Sequence, residues 1–188
     1  MEHGIPSVAE ARAILEEFTS SPNLRTHAHA VAAGMRAYAE KYGESPDRWE
    51  IVGLLHDFDY EKFPTLEDHP FRGAEILRSR GVGEDVIQDI FAHAPHTGQE
   101  RDTPLRKAIF ACDELAGFIV AVALVQPTKK LSEVTVERVL KKLRQKGFAA
   151  AVSREDIERG AAELRVSLPE HVHTVLTALQ RTAPELGL

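Results

Sequence analysis

Hydrophobic residues recur every three or four positions along most of the chain, which is the spacing of an amphipathic α-helix. One such stripe lies between residues 23 and 42, ahead of Gly43, a residue type that commonly follows a helix. Its members are Leu24, Ala28, Val31, Met35 and Tyr38. No segment shows the sustained alternation of apolar and polar residues that is typical of a half-buried β-strand. The pattern therefore predicts an all-α fold.

Capping residues and helix breakers divide this pattern into about nine helices. Ser7 and Glu10 have the spacing of a capping box, and we expect the helix that they begin to end near Phe18. Pro46 begins a helix whose later part, residues 49–55, is apolar on nearly all sides and is therefore expected to be buried. A long apolar helix is predicted after Thr103, and the others over residues 69–80, 84–93, 135–146, 153–164 and 169–180, the last behind a second capping box at residues 167–170.

The length of 188 residues suits one domain, so we expect a single compact helical bundle over residues 1–188. With 29 acidic and 23 basic residues the formal net charge is −6, which argues against a dedicated nucleic-acid-binding protein. Cys112 is the only cysteine, so we expect a core residue and a reducing compartment. The N-terminus lacks a secretory signal, and the longest uncharged apolar stretch, residues 115–125, is too short for a bilayer. A cytoplasmic protein without membrane contact is expected.

Four of the nine histidines form a pattern with two aspartates. Apart from one adjacent pair, each residue of the set comes from a different predicted helix: His27, His56, Asp57, His69, His93 and Asp113. Unpartnered buried carboxylates and imidazolium groups are costly, whereas a divalent cation lets the aspartates stay ionised and the imidazoles neutral. Adjacent side chains diverge by about 100° on a regular helix, but His56 and Asp57 follow a predicted helix and can converge. The set therefore predicts a metal centre.

The local sequences around these residues resemble a known family. They read LRTH over residues 24–27, GLLHDFD over residues 53–59, HPFRGAEIL over residues 69–77 and ACDEL over residues 111–115. In this order, on a helical chain, they resemble the HD superfamily of metal-dependent phosphohydrolases. By motif the resemblance covers residues 20–125, and we expect residues 126–188 to form C-terminal helices that pack on this metal-binding core.

The resemblance implies a specific set of metal ligands. A first divalent ion would be held by His27, His56, Asp57 and Asp113. In two-metal members of the superfamily the residue matching Asp57 also bridges to a second ion, which here would be held by His69 and His93. Oxygen and imidazole donors suit Mn, Fe, Co, Ni, Zn or Mg, and the sequence does not distinguish among these metals or between one ion and two.

The same resemblance implies hydrolysis by attack of a metal-bound hydroxide on phosphorus. Asp57 or Asp59 could accept the proton of the attacking water, and Asp59 could instead orient a ligand histidine. Ile-Gly-Lys does not follow Asp57 and Gly-Tyr-Pro does not follow His93, which argues against the cyclic-di-GMP phosphodiesterases of the superfamily. The expected substrate is a small phosphorylated molecule, with a nucleotide as the first choice, cleaved at a monoester or diester.

Two alternatives from other classes stay open. A catalytically silent HD-type domain could bind a ligand or a protein partner, and some relatives in the superfamily are di-iron oxygenases. Arg72 and Arg106 are candidate substrate-binding residues because each lies one or two turns from a candidate ligand, although isolated arginines are usually solvated. The basic segment 129–146 could attract an anionic substrate or form a solvated helix face, and the oligomeric state is open.

The remaining histidines are weaker candidates. His29 faces away from His27 on the same helix and is expected to pack or to lie at the surface. His96, in a predicted loop, is a less favoured ligand candidate. We expect the last three at the surface: His3, His171 and His173.

Overall fold

The computed structural model describes residues 4–188, and this part of the chain consists of helices and connecting turns without any β-strand. The all-α prediction is therefore confirmed. His3 lies outside the described residues. Within them the structure has ten α-helices where about nine were expected: α1 (Val8–Phe18), α2 (Pro22–Tyr42), α3 (Pro46–Leu55), α4 (Phe71–Ser79), α5 (Glu84–Phe91), α6 (Pro104–Leu124), α7 (Val136–Leu143), α8 (Arg154–Glu163), α9 (Leu168–Arg181) and α10 (Ala183–Leu186).

The capping box predicted for α1 is formed, whereas the one predicted for α9 is only half formed. At α1, the backbone N–H of Ser7 donates to the Glu10 carboxylate at 2.7 Å, and the N–H of Glu10 donates to the Ser7 hydroxyl at 3.2 Å. At α9, the Ser167 hydroxyl accepts from the N–H of Glu170. The carboxylate of Glu170 forms an ion pair with Lys41 on α2 instead of returning to its own cap.

The centre of the bundle is formed by α2, α3 and α6. Helix α2 packs against α3, α6 and α9, and α6 packs in addition against α8. Every residue of α3 from Trp49 to Leu55 is buried, as the sequence predicts. Cys112 on α6 is also fully buried, as expected, and burial raises the pKa of its thiol. These three helices are the scaffold on which the residues of the predicted metal centre are placed.

The contact between α2 and α3 is close because Gly53 has no side chain. A Cβ atom at this position would lie 2.6 Å from the Cα atom of Ala32, nearer than two non-bonded carbon atoms can approach. The carbonyl oxygen of Gly53 also accepts a hydrogen bond from Nδ1 of His56, one turn later, at 2.8 Å. Gly53 therefore brings the two helices together and contributes to the orientation of His56.

His171, predicted at the surface, is instead fully buried. Its Nε2 donates to the carbonyl oxygen of Ala111 at 2.9 Å, and its Nδ1 accepts from the hydroxyl of Tyr38 at 2.6 Å. Both ring nitrogens are thus satisfied inside the core, which removes the usual cost of burying an imidazole. Burial lowers the pKa of His171 to about 4, so the ring is neutral near pH 7.

Two predicted helices stop short of the histidines that were assigned to their ends. The prediction over residues 69–80 becomes α4, which begins at Phe71, and the prediction over residues 84–93 becomes α5, which ends at Phe91. His69 and His93 lie on the turns beside these helices. Outside regular helical backbone, their side chains can point to a common centre.

Helix α7 also ends early, at Leu143 rather than at residue 146. The chain turns after this residue and brings the ring of Phe148 edge-on against Phe118 of α6, with the ring centroids 5.4 Å apart. This contact between distant residues outweighs the local helical pattern. In the described part of the chain, no helix has both the length and the apolar character needed to cross a bilayer.

Substitution of Gly53 with Ala is expected to destabilise the protein by about 1–3 kcal/mol, because the added Cβ forces α2 and α3 apart. Urea unfolding followed by circular dichroism measures this change. Gly147→Ala is the matched control, since an added Cβ there has no neighbour within 4 Å. We expect the control to change stability by less than about 0.5 kcal/mol. Equal stability of Gly53→Ala and wild type would contradict the close contact.

Candidate metal centre

Side chains from three central elements meet in a first group: His27 on α2, His56 directly after α3, and Asp113 on α6. Nε2 of His27 lies 3.0 Å from Oδ1 of Asp113 and 3.2 Å from Nε2 of His56. Nε2 of His56 lies 3.5 Å from the same Asp113 oxygen. All three candidate ligand atoms lie within 4.8 Å of one another, which is close enough for contact with a single ion.

A second group is formed by Asp57, His69 and His93. Nε2 of His69 lies 3.1 Å from Nε2 of His93, and these two atoms lie 3.2 Å and 3.4 Å from Oδ1 of Asp57. The other oxygen of Asp57, Oδ2, lies 3.5 Å from Nε2 of His56 and 3.8 Å from Nε2 of His27. One carboxylate thus contacts both groups, with one oxygen toward each.

Backbone carbonyl groups determine how two of these imidazoles are oriented. Nδ1 of His56 donates to the carbonyl oxygen of Gly53, and Nδ1 of His93 donates to that of Ile90 at 2.6 Å. Because a carbonyl oxygen only accepts, the hydrogen must be on Nδ1 in each ring. Nε2 of the neutral ring therefore carries a lone pair, and this atom is the one that faces the cluster.

The charges in the cluster shift the pKa values of its members. Burial alone lowers the pKa of His56, but the carboxylates of Asp57 and Asp113 raise it overall, to about 9. Burial also opposes protonation of His69, yet hydrogen bonds with Asp57 and Asp59 raise its pKa to about 9. Conversely, the surrounding histidines hold the pKa values of Asp57 and Asp113 below the usual range, although burial raises them.

This donor set fits a divalent cation. Nε2 atoms of two imidazoles face each other at 3.2 Å in the first group and at 3.1 Å in the second. With their hydrogens on Nδ1, His69 and His93 turn two lone pairs toward each other, and a proton or a metal ion between them removes this repulsion. Carboxylate oxygens of Asp57 and Asp113 lie beside these nitrogens and also favour a positive charge there. Four imidazole nitrogens and two carboxylates suit Mn, Fe, Co, Ni, Zn or Mg.

The family model named HD domain matches residues 24–117, which is half of the chain and includes all six candidate ligands. The chain belongs to the HD domain family. This confirms the resemblance stated from the motifs, and the bundle of helices agrees with it.

Proteins named Ribonuclease Y are similar to part of this HD domain chain. The one from Nitratidesulfovibrio vulgaris strain DP4 is 32% identical over 118 residues, which make up 61% of this chain and 22% of that protein. The one from Thermotoga petrophila is 34% identical over 95 residues, 50% of this chain and 18% of that protein. The chain thus spans about a fifth of the length of these relatives. No solved structure matches the chain.

Asp59 lies behind the second ligand group of the HD domain. Its side chain is 1% exposed, its Oδ1 accepts from Nδ1 of His69 at 2.8 Å, and its Oδ2 accepts from the N–H of Gly73 at 2.9 Å. These bonds orient Nε2 of His69 toward Asp57. The geometry favours the orienting role that the sequence left open for Asp59, and proton acceptance by this residue stays a prediction.

Both arginines singled out from the sequence already pair with carboxylates. Nε of Arg106 lies 2.9 Å from the buried Asp89, and the Arg106 side chain is 13% exposed. Arg72 pairs with Asp68 and Glu75, and its side chain is 53% exposed. Substrate binding stays a prediction for both. The exposed Arg72 can exchange partners at lower cost than Arg106, which is tied to a buried acid.

Two residues near His69 have roles that the sequence did not reveal. The ring of Tyr60 lies edge-on to the His69 ring with centroids 5.3 Å apart, and this tyrosine is 40% exposed. The sequence contained one indication that Tyr60 lies near the centre, namely its position directly after Asp59. His96, a loop candidate for metal binding, donates from Nε2 to the carbonyl oxygen of His69 at 2.8 Å and belongs to neither ligand group.

Glu114, next to Asp113, was also missed. One of its oxygens accepts from the N–H of Ser153 at 3.2 Å, which links α6 to the start of α8. Burial and the charge of Asp113 raise the pKa of Glu114 to about 7. Of the other histidines, His29 lines a cavity of about 140 Å³ beside α2 and α3, and His173 is exposed. These two positions agree with the expectations from the sequence.

Asp59→Asn is expected to weaken the second ligand group selectively. The Asp59 carboxylate accepts hydrogen bonds from Nδ1 of His69 and from the N–H of Gly73. An asparagine amide has only one oxygen to accept, and its NH2 group would face the other donor. The orientation of His69 is then no longer fixed. Loss of such a supporting carboxylate typically lowers metal affinity about 10–100-fold. We expect isothermal titration with Mn²⁺ to show two ions per chain in the wild type, one in each ligand group, and one tight ion per chain in Asp59→Asn.

The matched control for this experiment is Asp68→Asn. This carboxylate is 40% exposed and contacts Arg72 and Thr65 rather than a candidate ligand. We expect two ions to bind the control with wild-type affinity. Two tight ions in Asp59→Asn would show that this residue does not support metal binding.

Metal affinity is expected to rise with pH from about 6 to about 9. The metal-free protein holds protons on His56 and His69, whose pKa values lie at about 9, and an ion can bind these rings only after the protons leave. Each proton displaced weakens the apparent affinity by about tenfold per pH unit as the pH falls. Mn²⁺ titrations in buffers of different ionisation enthalpy would count the released protons. Affinity that is constant over this pH range would contradict the expectation.

Proposed function

We propose that this protein is a metal-dependent phosphohydrolase that cleaves a phosphate ester of a small molecule, with nucleotides as the first candidates. Membership of the HD domain family supports this class of reaction. The observation that carries the proposal is the position of Asp57, whose two oxygens face the two ligand groups. A carboxylate shared in this way suits a pair of divalent ions, an arrangement that recurs in phosphoester hydrolysis.

The proposed substrate approaches the side of the cluster that is open to solvent. The side chains of His27, Asp57 and Asp113 are 21–22% exposed, whereas that of His56 is fully buried. Tyr60, which is exposed beside the second group, offers an aromatic ring against which a nucleobase can stack. A phosphate ester attached to a flat aromatic group therefore suits this opening.

The protein contributes charge, orientation and a proton acceptor to the proposed reaction. Divalent ions, when bound, supply Lewis-acid stabilisation and lower the pKa of a coordinated water. The surrounding histidines keep Asp57 ionised, and Asp59 holds Nε2 of His69 toward the centre. We assign proton acceptance to Asp57 rather than Asp59, since the Asp57 side chain is 21% exposed and that of Asp59 is 1% exposed.

A small substrate is preferred over a polynucleotide. The relatives are named as ribonucleases, so the phosphodiester of RNA falls within the proposed chemistry. However, this chain has a net charge of −6. Nucleic-acid binding generally requires clustered positive charge around the site, which favours a single nucleotide.

Phosphate release from nucleoside mono-, di- and triphosphates, together with cleavage of a short RNA, tests the proposal with Mn²⁺, Co²⁺ and Mg²⁺. We expect metal-dependent hydrolysis of at least one nucleotide. In Asp57→Ala, which removes the shared ligand, activity is expected to fall by more than about 100-fold and metal binding to be lost, while helix content by circular dichroism is retained.

Other outcomes separate the alternatives. Full metal occupancy in Asp57→Ala would refute the assignment of that residue. A metal-loaded protein that hydrolyses none of these esters would support a catalytically silent binding domain. Metal-dependent consumption of O2 with the spectrum of a di-iron centre would support an oxygenase.

A further inference from the structure

A second pocket lies far from the metal centre, where the end of α6 meets α7. Its volume is about 370 Å³. One part of its wall is apolar and includes Val122 and Pro127, and another part is polar and includes Gln126, Arg138, Lys141 and Gln145. From Asp113 to Leu124, the last residue of α6, the helix rises by about 16 Å at about 1.5 Å per residue, and Gln126 follows that end. A small molecule in this pocket cannot contact the ligand groups.

Gln126, which lines the pocket, has a buried donor without an acceptor. The residue is 7% exposed, and its Oε1 accepts from the guanidinium group of Arg138. Since a guanidinium group only donates, this contact determines which end of the amide is the oxygen. Nε2 is therefore an NH2 group, and it has no hydrogen-bond partner among the described residues. A buried donor in this state is satisfied either by an ordered water molecule or by an acceptor on a bound ligand.

The cations of the pocket also lack anionic partners. Lys141 and Lys142 project from α7, and neither these two nor Arg138 has a carboxylate oxygen within 4.0 Å in the part of the chain that the structure describes. Segment 129–146 contains seven basic residues and two acidic ones in a chain whose net charge is −6. Positive charge is thus concentrated around the unsatisfied amide.

We propose that this pocket binds the phosphate group of a small organic molecule. Nε2 of Gln126 has almost no accessible surface without a ligand, so a small shift of this side chain toward the pocket brings the NH2 group to one phosphate oxygen. Arg138 and Lys141 balance the negative charge. The apolar wall at Val122 and Pro127 packs against the organic part of the ligand, so a phosphate carrying an apolar group binds more tightly than inorganic phosphate. The site is independent of the metal centre and of the reaction proposed there.

NMR titration of the full-length, Mg²⁺-loaded protein tests the site directly. Inorganic phosphate and phenylphosphonate, which resists hydrolysis, are the two probes. We expect saturable shifts of backbone amides around Gln126 and along α7, with phenylphosphonate binding several-fold more tightly than phosphate. Phosphate bound at the metal centre would shift a different set of amides, around Asp57 and Asp113, and therefore does not interfere.

Gln126→Glu is the informative variant, because a carboxylate of nearly the same shape still accepts from Arg138 but has no NH2 group to donate. We expect its affinity for phenylphosphonate to fall by at least about tenfold. Gln145→Glu makes the same change of charge in the same pocket at an exposed position, and should lower affinity by less than about threefold. Lys141→Gln, which alters no buried group, should lower it by about threefold or more.

Three results would overturn the proposal. They are an absence of saturable shifts around the pocket, an equal loss of affinity in Gln126→Glu and Gln145→Glu, and unchanged affinity in Lys141→Gln. The second would show only a general effect of charge. The third keeps the test decisive if Gln126→Glu does not fold.

Discussion

Six ionisable side chains share one largely buried region between α2, α3 and α6, and their charges have to be balanced there. The carboxylate of Asp57 is the centre of this balance, because its two oxygens contact imidazoles from both ligand groups. Without a metal ion, protons on His56 and His69 supply the positive charge, which is why the pKa values of these rings are raised. A divalent ion held by the six ligands would supply the same positive charge in place of those protons. Charge balance around Asp57 thus links the stability of the core to its capacity to bind cations.

The geometry of this region depends on helices that approach each other more closely than ordinary side chains allow. Gly53 brings α3 onto α2 at Ala32, and Gly160 brings α8 onto α6, where an added Cβ would lie 2.6 Å from the Cα atom of Ala111. Both contacts are between backbones, so neither can adjust by changing a rotamer. The first contact places His56 beside His27, and the second holds the part of α6 that carries Asp113.

The sequence predicted correctly those features that depend on residue type and on order along the chain. The six candidate ligands were recognised because histidine and aspartate follow one another in a characteristic order, and the helices were recognised by their periodicity. Neither the order of the ligands nor the helical periodicity predicts contacts between residues that are far apart in the sequence. His171 was placed at the surface because its partners, Tyr38 and the Ala111 carbonyl, are far away in sequence. The early end of α7 has the same origin, since the attraction of Phe148 to Phe118 is invisible in a local pattern.

The burial of His171 shows that residues 24–117 depend on helices outside that range. The part that matches the family model ends at residue 117. Tyr38 and Ala111, which lie inside this part, both form hydrogen bonds with the imidazole of His171 on α9. Excising residues 24–117 would strip α9 from α2 and α8 from α6, leaving apolar surface and a lone tyrosine hydroxyl facing water. The recognisable half is therefore not a self-sufficient unit. In this chain, α8 and α9 cover the faces of α6 and α2 that the recognisable half leaves apolar.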